Sequence, residues 1–182
     1  MLIKVNYFKR MIKEAYKGSG LTVGASEHRY HIAADTWELT IDKKAMPNKA
    51  KAALVELIGK MPVTGEAIDA SKDEYQEYDM EQQVPDVEEY EEKLDTTRML
   101  LWNMYGTQVR VLQGADLRIK LVKQEIAEAI EPVANGEETT GPMCDGMTIL
   151  WWNSTGTFWT RTESKGGLES MLPELERITI TV

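Results

Sequence analysis

Residues 147–162 read MTILWWNSTGTFWTRT, which is two strand-like runs joined by a short polar turn. Aromatic and β-branched residues flank the turn and favour extended structure. A tight turn at Ser154 and Thr155 places Trp151 opposite Phe158 on one face of a hairpin. Leu150, Trp152 and Trp159 then lie on the other face. The stretch therefore predicts an antiparallel hairpin within a sheet.

The patterns on either side of this hairpin predict an α+β protein. Residues 3–17, 47–61 and 116–130 have helical periodicity, and residues 36–42, 97–104, 107–112 and 178–182 resemble strands. Residues 133–146 have the composition of a loop. A strand-strand-helix order recurs at residues 28–61, 98–131 and 147–177. We expect one domain over residues 1–182, with a mixed or antiparallel sheet, helices packed on one side, and an acidic insertion at residues 63–96.

The negative charge of the chain is concentrated in residues 66–95. This segment holds thirteen Asp or Glu residues and two lysines, a net charge of −11, whereas the whole chain carries −9. Such a patch attracts cationic surfaces and repels nucleic acid and anionic membranes, unless it is only a solvated surface. We therefore predict a partner protein with a basic surface, no membrane contact and no direct nucleic-acid binding. The predicted contact residues are Asp73, Glu74, Glu77, Asp79, Glu81, Asp86, Glu88, Glu89, Glu91 and Glu92.

Trp151 is predicted to add an aromatic anchor to this contact surface. A sheet needs only one buried face, so the tryptophan hairpin is either covered on both faces or presents one to a partner. Trp152 shares its predicted face with Trp159, and two indoles offer a core more apolar area. We expect Trp152 to be buried and Trp151 to be exposed.

No catalytic motif is as clear as the acidic segment. The sequence has no Gly-rich phosphate loop, no Gly-x-Ser-x-Gly motif and no Cys-x-x-Cys pair. We expect a non-catalytic protein without cofactor or metal. The alternative is a magnesium-dependent nuclease, because Asp35, Glu38, Asp42 and Lys44 together are similar to acid-acid-lysine metal sites.

The remaining reactive residues predict no further site. His28 and His31 fall on opposite faces of a strand, which is the wrong geometry for one metal ion. Cys144 is the single cysteine, so it forms no intrachain disulfide and fits a reducing compartment. The cationic N-terminal residues do not form a secretory signal. These features predict a bacterial host cytosol.

Three stretches carry a resemblance to known proteins: KVNYFKRMIKEAY at residues 4–16, ADTWELTID at 34–42 and ALVELIGKMPVTGE at 53–66. With the overall acidity, they resemble small acidic proteins encoded by phages and mobile elements. Within that group, the chain is similar to anti-CRISPR proteins aimed at the type II effector nuclease. The resemblance implies a stoichiometric inhibitor that occupies the basic nucleic-acid surface of the effector. A phage structural or assembly protein is a further alternative.

Overall fold

The chain folds as an α+β protein with a large antiparallel sheet and few helices, as the sequence predicts. The computed structural model describes residues 1–79, 90 and 92–182. These residues form two compact units, one containing residues 1–79, 129–139 and 152–159, the other residues 90, 92–128, 140–151 and 160–182. The single domain with an insertion at residues 63–96 stays a prediction.

Both units are built from helices and strands. No helix in the described ranges is long and apolar enough to cross a membrane. The helices are α1 (Val5–Lys17), α2 (Asn48–Ile58), α3 (Gln124–Ala129) and α4 (Leu172–Leu175). The strands are β1 (Leu21–Ala25), β2 (Arg29–Ala34), β3 (Trp37–Asp42), β4 (Glu66–Ala70), β5 (Tyr75–Asp79), β6 (Glu92–Trp102), β7 (Gln108–Gly114), β8 (Ile119–Lys123), β9 (Val133–Ala134), β10 (Glu137–Glu138), β11 (Thr140–Asp145), β12 (Thr148–Asn153) and β13 (Gly156–Arg161).

The core of the first unit lies between its two long helices and one face of its sheet. The strand order is β5-β4-β1-β2-β3-β13. Val23 of β1 pairs with Ile32 of β2 and Ile68 of β4, and all three are fully buried. Phe8 and Ile12, four residues apart on α1, are fully buried as well. The apolar stripes of the helices therefore determine which face of the sheet is closed.

The last strand of this order, β13, approaches β3 very closely. A Cβ atom on Gly156 would clash with the carbonyl oxygen of Thr40, so only glycine fits there. The Asp42 N–H donates to the Thr155 carbonyl at 2.9 Å. Backbone contact, without intervening side chains, joins the hairpin turn to β3.

The second unit has its own core, in which the C-terminal segment covers a sheet of order β12-β11-β6-β7-β8. Leu172 and Ile180 are buried in one cluster with residues of β7 and β8. The Gln113 amide fixes this segment, because it donates to the Ile178 carbonyl at 3.0 Å and accepts from the Ile180 N–H at 2.9 Å. The strand members of the cluster are Val109, Val111, Ile119 and Leu121.

Three predicted elements differ from the structure. The helix expected over residues 116–130 is strand β8 followed by the six-residue α3. In β8 both Leu121 and Val122 are buried, although they point to opposite faces. A strand that is buried on both faces lacks the apolar–polar alternation of a strand, so its sequence can be taken for the apolar stripe of a helix. The loop expected over residues 133–146 contains β9, β10 and β11. Residues 178–182 form no strand. They lie beside β6 and β7 and are held there by isolated hydrogen bonds, such as the one that the Arg98 N–H donates to the Thr181 carbonyl.

The hairpin turn at Ser154 and Thr155 is confirmed, but the predicted burial of its tryptophans is wrong. Trp151 is only 4% exposed, whereas Trp152 is partly exposed. Trp151 lies against the bare backbone of Gly141, where an added Cβ would be 3.1 Å from its Cδ1 atom. Trp151 thus packs against the backbone of β11, whereas Trp152 and Trp159, the two indoles expected to share the buried face, are both partly exposed.

This burial gives a stability prediction. Trp151→Ala should lower the free energy of unfolding by about 3–5 kcal/mol, because it empties a packed site, and Trp152→Ala should cost clearly less. Urea unfolding followed by far-UV circular dichroism measures both values. Equal losses in the two variants would contradict the assignment.

Candidate functional site

The solvent side of α1 and α2 concentrates positive charge. Helix α1 holds four cations and one acid, and α2 holds two cations and one acid, so the two helices carry a net charge of +4. Their apolar stripes face the sheet, which leaves Arg10, Lys13, Lys17 and Lys49 exposed. A cationic layer thus covers the first unit of a chain whose net charge is negative.

Two tyrosine rings in this layer are each flanked by two cations. The Arg10 guanidinium lies 4.7 Å and the Lys4 ammonium 5.8 Å from the centre of the Tyr7 ring. The ammonium groups of Lys43 and Lys51 lie 5.4 Å and 6.0 Å from the Tyr30 ring, which shares its sheet face with buried Ile32. We define the helix surface as Lys4, Tyr7, Lys9, Arg10, Lys13, Lys17, Tyr30, Lys43, Lys49 and Lys51.

The predicted acidic contact residues are placed only in part by the structure. Asp73, Glu74, Glu77 and Asp79 are exposed, in β5 and in the turn before it, and Glu92 is partly buried at the start of β6. Their contact with a partner stays a prediction. Glu81, Asp86, Glu88, Glu89 and Glu91 lie outside the described residues.

One lysine balances part of this acidic charge. The Lys60 Nζ donates to Glu66 Oε1 at 2.7 Å and to Glu77 Oε2 at 2.9 Å, which raises the pKa of Lys60. The Tyr75 hydroxyl donates to Glu77 Oε1 at 2.7 Å, and this bond, with Lys60, lowers the pKa of the Glu77 carboxyl. The edge strand β5 therefore carries a hydrogen-bonded network that joins Lys60, Glu66, Glu77 and Tyr75.

The proposed nuclease residues do not assemble. Asp35 lines a cleft beside β1, β4 and β5, whereas Asp42 and Lys44 line a different one beside the β1–β2 turn. Asp35 and Asp42 are separated by the length of β3, about 20 Å in an extended strand. Asp42 also accepts from Arg29 Nε at 3.0 Å. These residues therefore do not form the metal site that the nuclease alternative requires.

His31 is instead part of a buried hydrogen-bonded chain. Its Nε2 atom lies 3.3 Å from Ser26 Oγ, and its Nδ1 atom lies 3.2 Å from Thr40 Oγ1. The Thr40 hydroxyl also donates a hydrogen bond to Glu38 Oε1 at 3.4 Å. Burial, with the nearby charge of Arg29, lowers the pKa of His31, and burial raises the pKa of Glu38. The network satisfies polar groups on the outer face of the sheet.

The lowered pKa predicts how His31 affects stability. Below pH 6.5 the unfolded chain takes up the imidazole proton more readily than the folded one, so the neutral native His31 costs stability as the pH falls. The stability difference between the wild type and His31→Gln should therefore shrink from pH 7.5 to pH 5, as measured by urea unfolding at matched ionic strength. A difference independent of pH would contradict this. The raised pKa of Glu38 changes stability in the opposite direction as the pH falls. Because Glu38 is present in both proteins, its contribution cancels in the difference.

Neither Cys144 nor the histidines form a reactive centre. Cys144 is 2% exposed, and burial raises the pKa of its thiol. His28 lies in an exposed turn, whereas His31 is buried. Across the described residues, no group of three or more His, Cys, Asp or Glu side chains could hold a metal ion.

An exposed apolar surface that was not predicted from the sequence lies at the end of the β6–β7 hairpin. Leu100, Trp102, Met104 and Tyr105 are 39%, 64%, 66% and 69% exposed, and we call them the β6–β7 tip. The signal was present, because residues 100, 102 and 104 alternate with the partly buried residues of β6 that face the core.

Comparisons with known proteins give only a distant likeness. No protein-family model matches the chain, and no curated protein matches it. The Bacillus subtilis DNA polymerase sliding clamp shares 9% identity at a TM-score of 0.41, covering 89% of this chain and 64% of the clamp. The H. pylori beta clamp in complex with diflunisal shares 10% identity at a TM-score of 0.36, covering 94% and 67%. The chain thus spans about two thirds of these proteins, and none of their functions is carried over to it.

The anti-CRISPR inhibitor prediction and its partner are nevertheless wrong. The solved structures found to be similar are a DNA polymerase sliding clamp and beta clamps, not nuclease inhibitors. The expected tryptophan anchor, Trp151, is buried. The acidic segment, from which no direct nucleic-acid binding was expected, begins in β4 and β5, whereas the cations lie on α1 and α2.

Proposed function

We propose that the helix surface of the first unit binds the phosphate backbone of nucleic acid. The observation that carries the proposal is the pair of tyrosine rings, each flanked by two cations, on or beside two helices of combined net charge +4. Lysine and arginine neutralise phosphates and release counterions, which supplies sequence-independent affinity. Aromatic rings between such cations add stacking surfaces for unpaired bases.

The spacing of the cations suits a continuous backbone. Arg10, Lys13 and Lys17 follow one another at intervals of three and four residues, so they form one stripe along α1. At 1.5 Å per residue, the stripe extends about 10 Å along the helix axis. Among the described residues, Lys13 and Lys17 form no ion pair, so their charges are available to a phosphate.

The acidic strands do not oppose this function at physiological salt. Interactions between exposed charges are screened beyond about 8 Å under these conditions, so a phosphate responds to the charges next to it. Lys60 also neutralises part of the acidic charge of Glu66 and Glu77. The net charge of −9 therefore describes the chain as a whole, and the helix surface has its own local field.

We propose that the chain acts by binding rather than by turnover. The side chains with reactive potential have structural partners: Asp42 pairs with Arg29, and His31 lies between Ser26 and Thr40. We also propose that the strand-strand-helix order is a recurring unit of the fold. It is present in β2-β3-α2 and β12-β13-α4, whereas β6-β7-β8-α3 has one strand more.

Charge reversal on α1 tests the proposed nucleic-acid binding. Lys9→Glu, Lys13→Glu and Lys17→Glu combined should weaken binding to a DNA duplex and reduce the slope of log K against log salt by about 3, since each lost phosphate contact removes about 0.9. Fluorescence anisotropy over a range of salt concentrations measures both quantities.

A matched control places the same charge change on the second unit. Arg98, Arg118 and Arg161 are all exposed there, and their combined change to glutamate should leave affinity and salt slope nearly unchanged. Equal losses in the two triple variants would show a general charge effect and contradict the helix surface as the site. Tyr7→Ala should weaken a single strand more than a duplex, because only unpaired bases stack on the ring.

A further inference from the structure

A cleft with acidic walls lies just beyond α1, at the end of the cationic stripe formed by Arg10, Lys13 and Lys17. The cleft has a volume of about 850 Å³ and begins at Ser19 and Gly20, which follow the end of the helix. No lysine, arginine or histidine is among its described lining residues. A cleft whose charges have one sign concentrates their field. The acidic lining residues are Asp35, Asp69, Asp73 and Glu74.

A short turn holds two of these acidic residues beside the helix. The Lys72 N–H donates to the Tyr16 carbonyl at 3.0 Å, so the turn between β4 and β5 is bonded to the last turn of α1. The Ser71 hydroxyl accepts from the N–H groups of Asp73 and Glu74 at 3.3 Å and 3.1 Å. The Ser71 N–H in turn donates to the Glu74 carbonyl at 2.8 Å. The backbone that carries these two carboxylates is therefore held at the end of the cationic stripe.

Three of the four carboxylates keep an uncompensated charge. Asp35, Asp73 and Glu74 are exposed, and in the part of the chain that the structure describes they form no ion pair. Asp69 accepts hydrogen bonds from two hydroxyl groups. Lys72 adds one positive charge to the turn, against two negative charges from its acidic neighbours. The turn therefore repels a phosphate that comes within the screening distance of about 8 Å.

The cations around Tyr30 lie at the opposite end of β2 from this cleft. Tyr30 is near the start of the strand and Asp35 directly follows its end, a separation of about 16 Å in extended chain. Lys43 and Lys51 flank the Tyr30 ring. A phosphate backbone that leaves α1 is thus attracted towards Tyr30 and repelled beyond Lys17.

We propose that the acidic cleft ends the nucleic-acid contact at the C-terminal end of α1, so that a bound backbone crosses the helix layer towards Tyr30. The inference rests on the proposed nucleic-acid binding and specifies its path. A backbone that continues along α1 past Lys17 meets the carboxylates of Asp73 and Glu74, with that of Asp35 in the same cleft. These three acids position the ligand by repulsion, and the cations bind it.

Neutralisation of the cleft tests this limit. In a variant that combines Asp35→Asn, Asp73→Asn and Glu74→Gln, Lys72 becomes available to one further phosphate. At physiological salt the affinity for a DNA duplex should rise about fivefold, and the slope of log K against log salt should steepen by about 0.9. Addition of Lys72→Gln to this variant should cancel both changes. Fluorescence anisotropy over a range of salt concentrations measures them, and circular dichroism checks that each variant is folded.

The matched control makes the same three kinds of change in the second unit, as Asp95→Asn, Asp145→Asn and Glu169→Gln. All three residues are exposed, and both triple variants change the net charge equally, so the control should leave affinity and slope nearly unchanged. Equal gains in the two variants would overturn the limit, and so would a gain that Lys72→Gln leaves intact. An unchanged cleft variant, with charge reversal on α1 still weakening binding, would overturn the limit and leave the helix surface as the site. A wild-type chain that binds no duplex would overturn both.

Discussion

A β-strand presents its side chains alternately to two faces, and each unit of this chain closes one of these faces with its own covering layer. In the first unit α1 and α2 close the face that carries Val23, Ile32 and Ile68. In the second unit the segment from Leu168 to Ile180 closes the face formed by β7 and β8. The opposite face of the first sheet holds polar groups in hydrogen-bonded networks such as that of His31. The position of the covering layers thus decides which side chains reach solvent.

The distribution of charged side chains in the first unit also depends on the covering layer. The covering helices of the first unit point their apolar residues inward, so their lysines and arginines gather on the outside. The acidic residues of β4 and β5 occupy strand positions at the sheet edge, where Lys60 holds two of them together. A single chain therefore offers surfaces of both signs. A sum over the whole sequence hides both of them.

Periodicity in the sequence predicted the elements that bury one face. Helices α1 and α2, strand β3 and the turn at Ser154 and Thr155 all follow from alternation or helical stripes. Strand β8 could not be recognised in this way, because Leu121 and Val122 are buried on opposite faces. The burial of Trp151 could not be recognised either, because its contact with Gly141 arises only in the folded sheet. The helix surface was not predicted as a site, because its cations come from α1, α2 and neighbouring segments, and Tyr30 joins them only through folding.

The backbone contact between β13 and β3 also has a consequence for biosynthesis. Because β3 finds its neighbour in residues 156–161, the first unit stays incomplete until a late part of the chain has left the ribosome. Through that interval the open edge of β3 can pair with other strands, and pairing between distant segments is slow. Glycine at position 156 permits this final docking step, since any side chain there would keep β13 away from Thr40. A nascent chain arrested before residue 152 would therefore contain α1, α2 and β1 to β5, but the edge of β3 would still be unpaired.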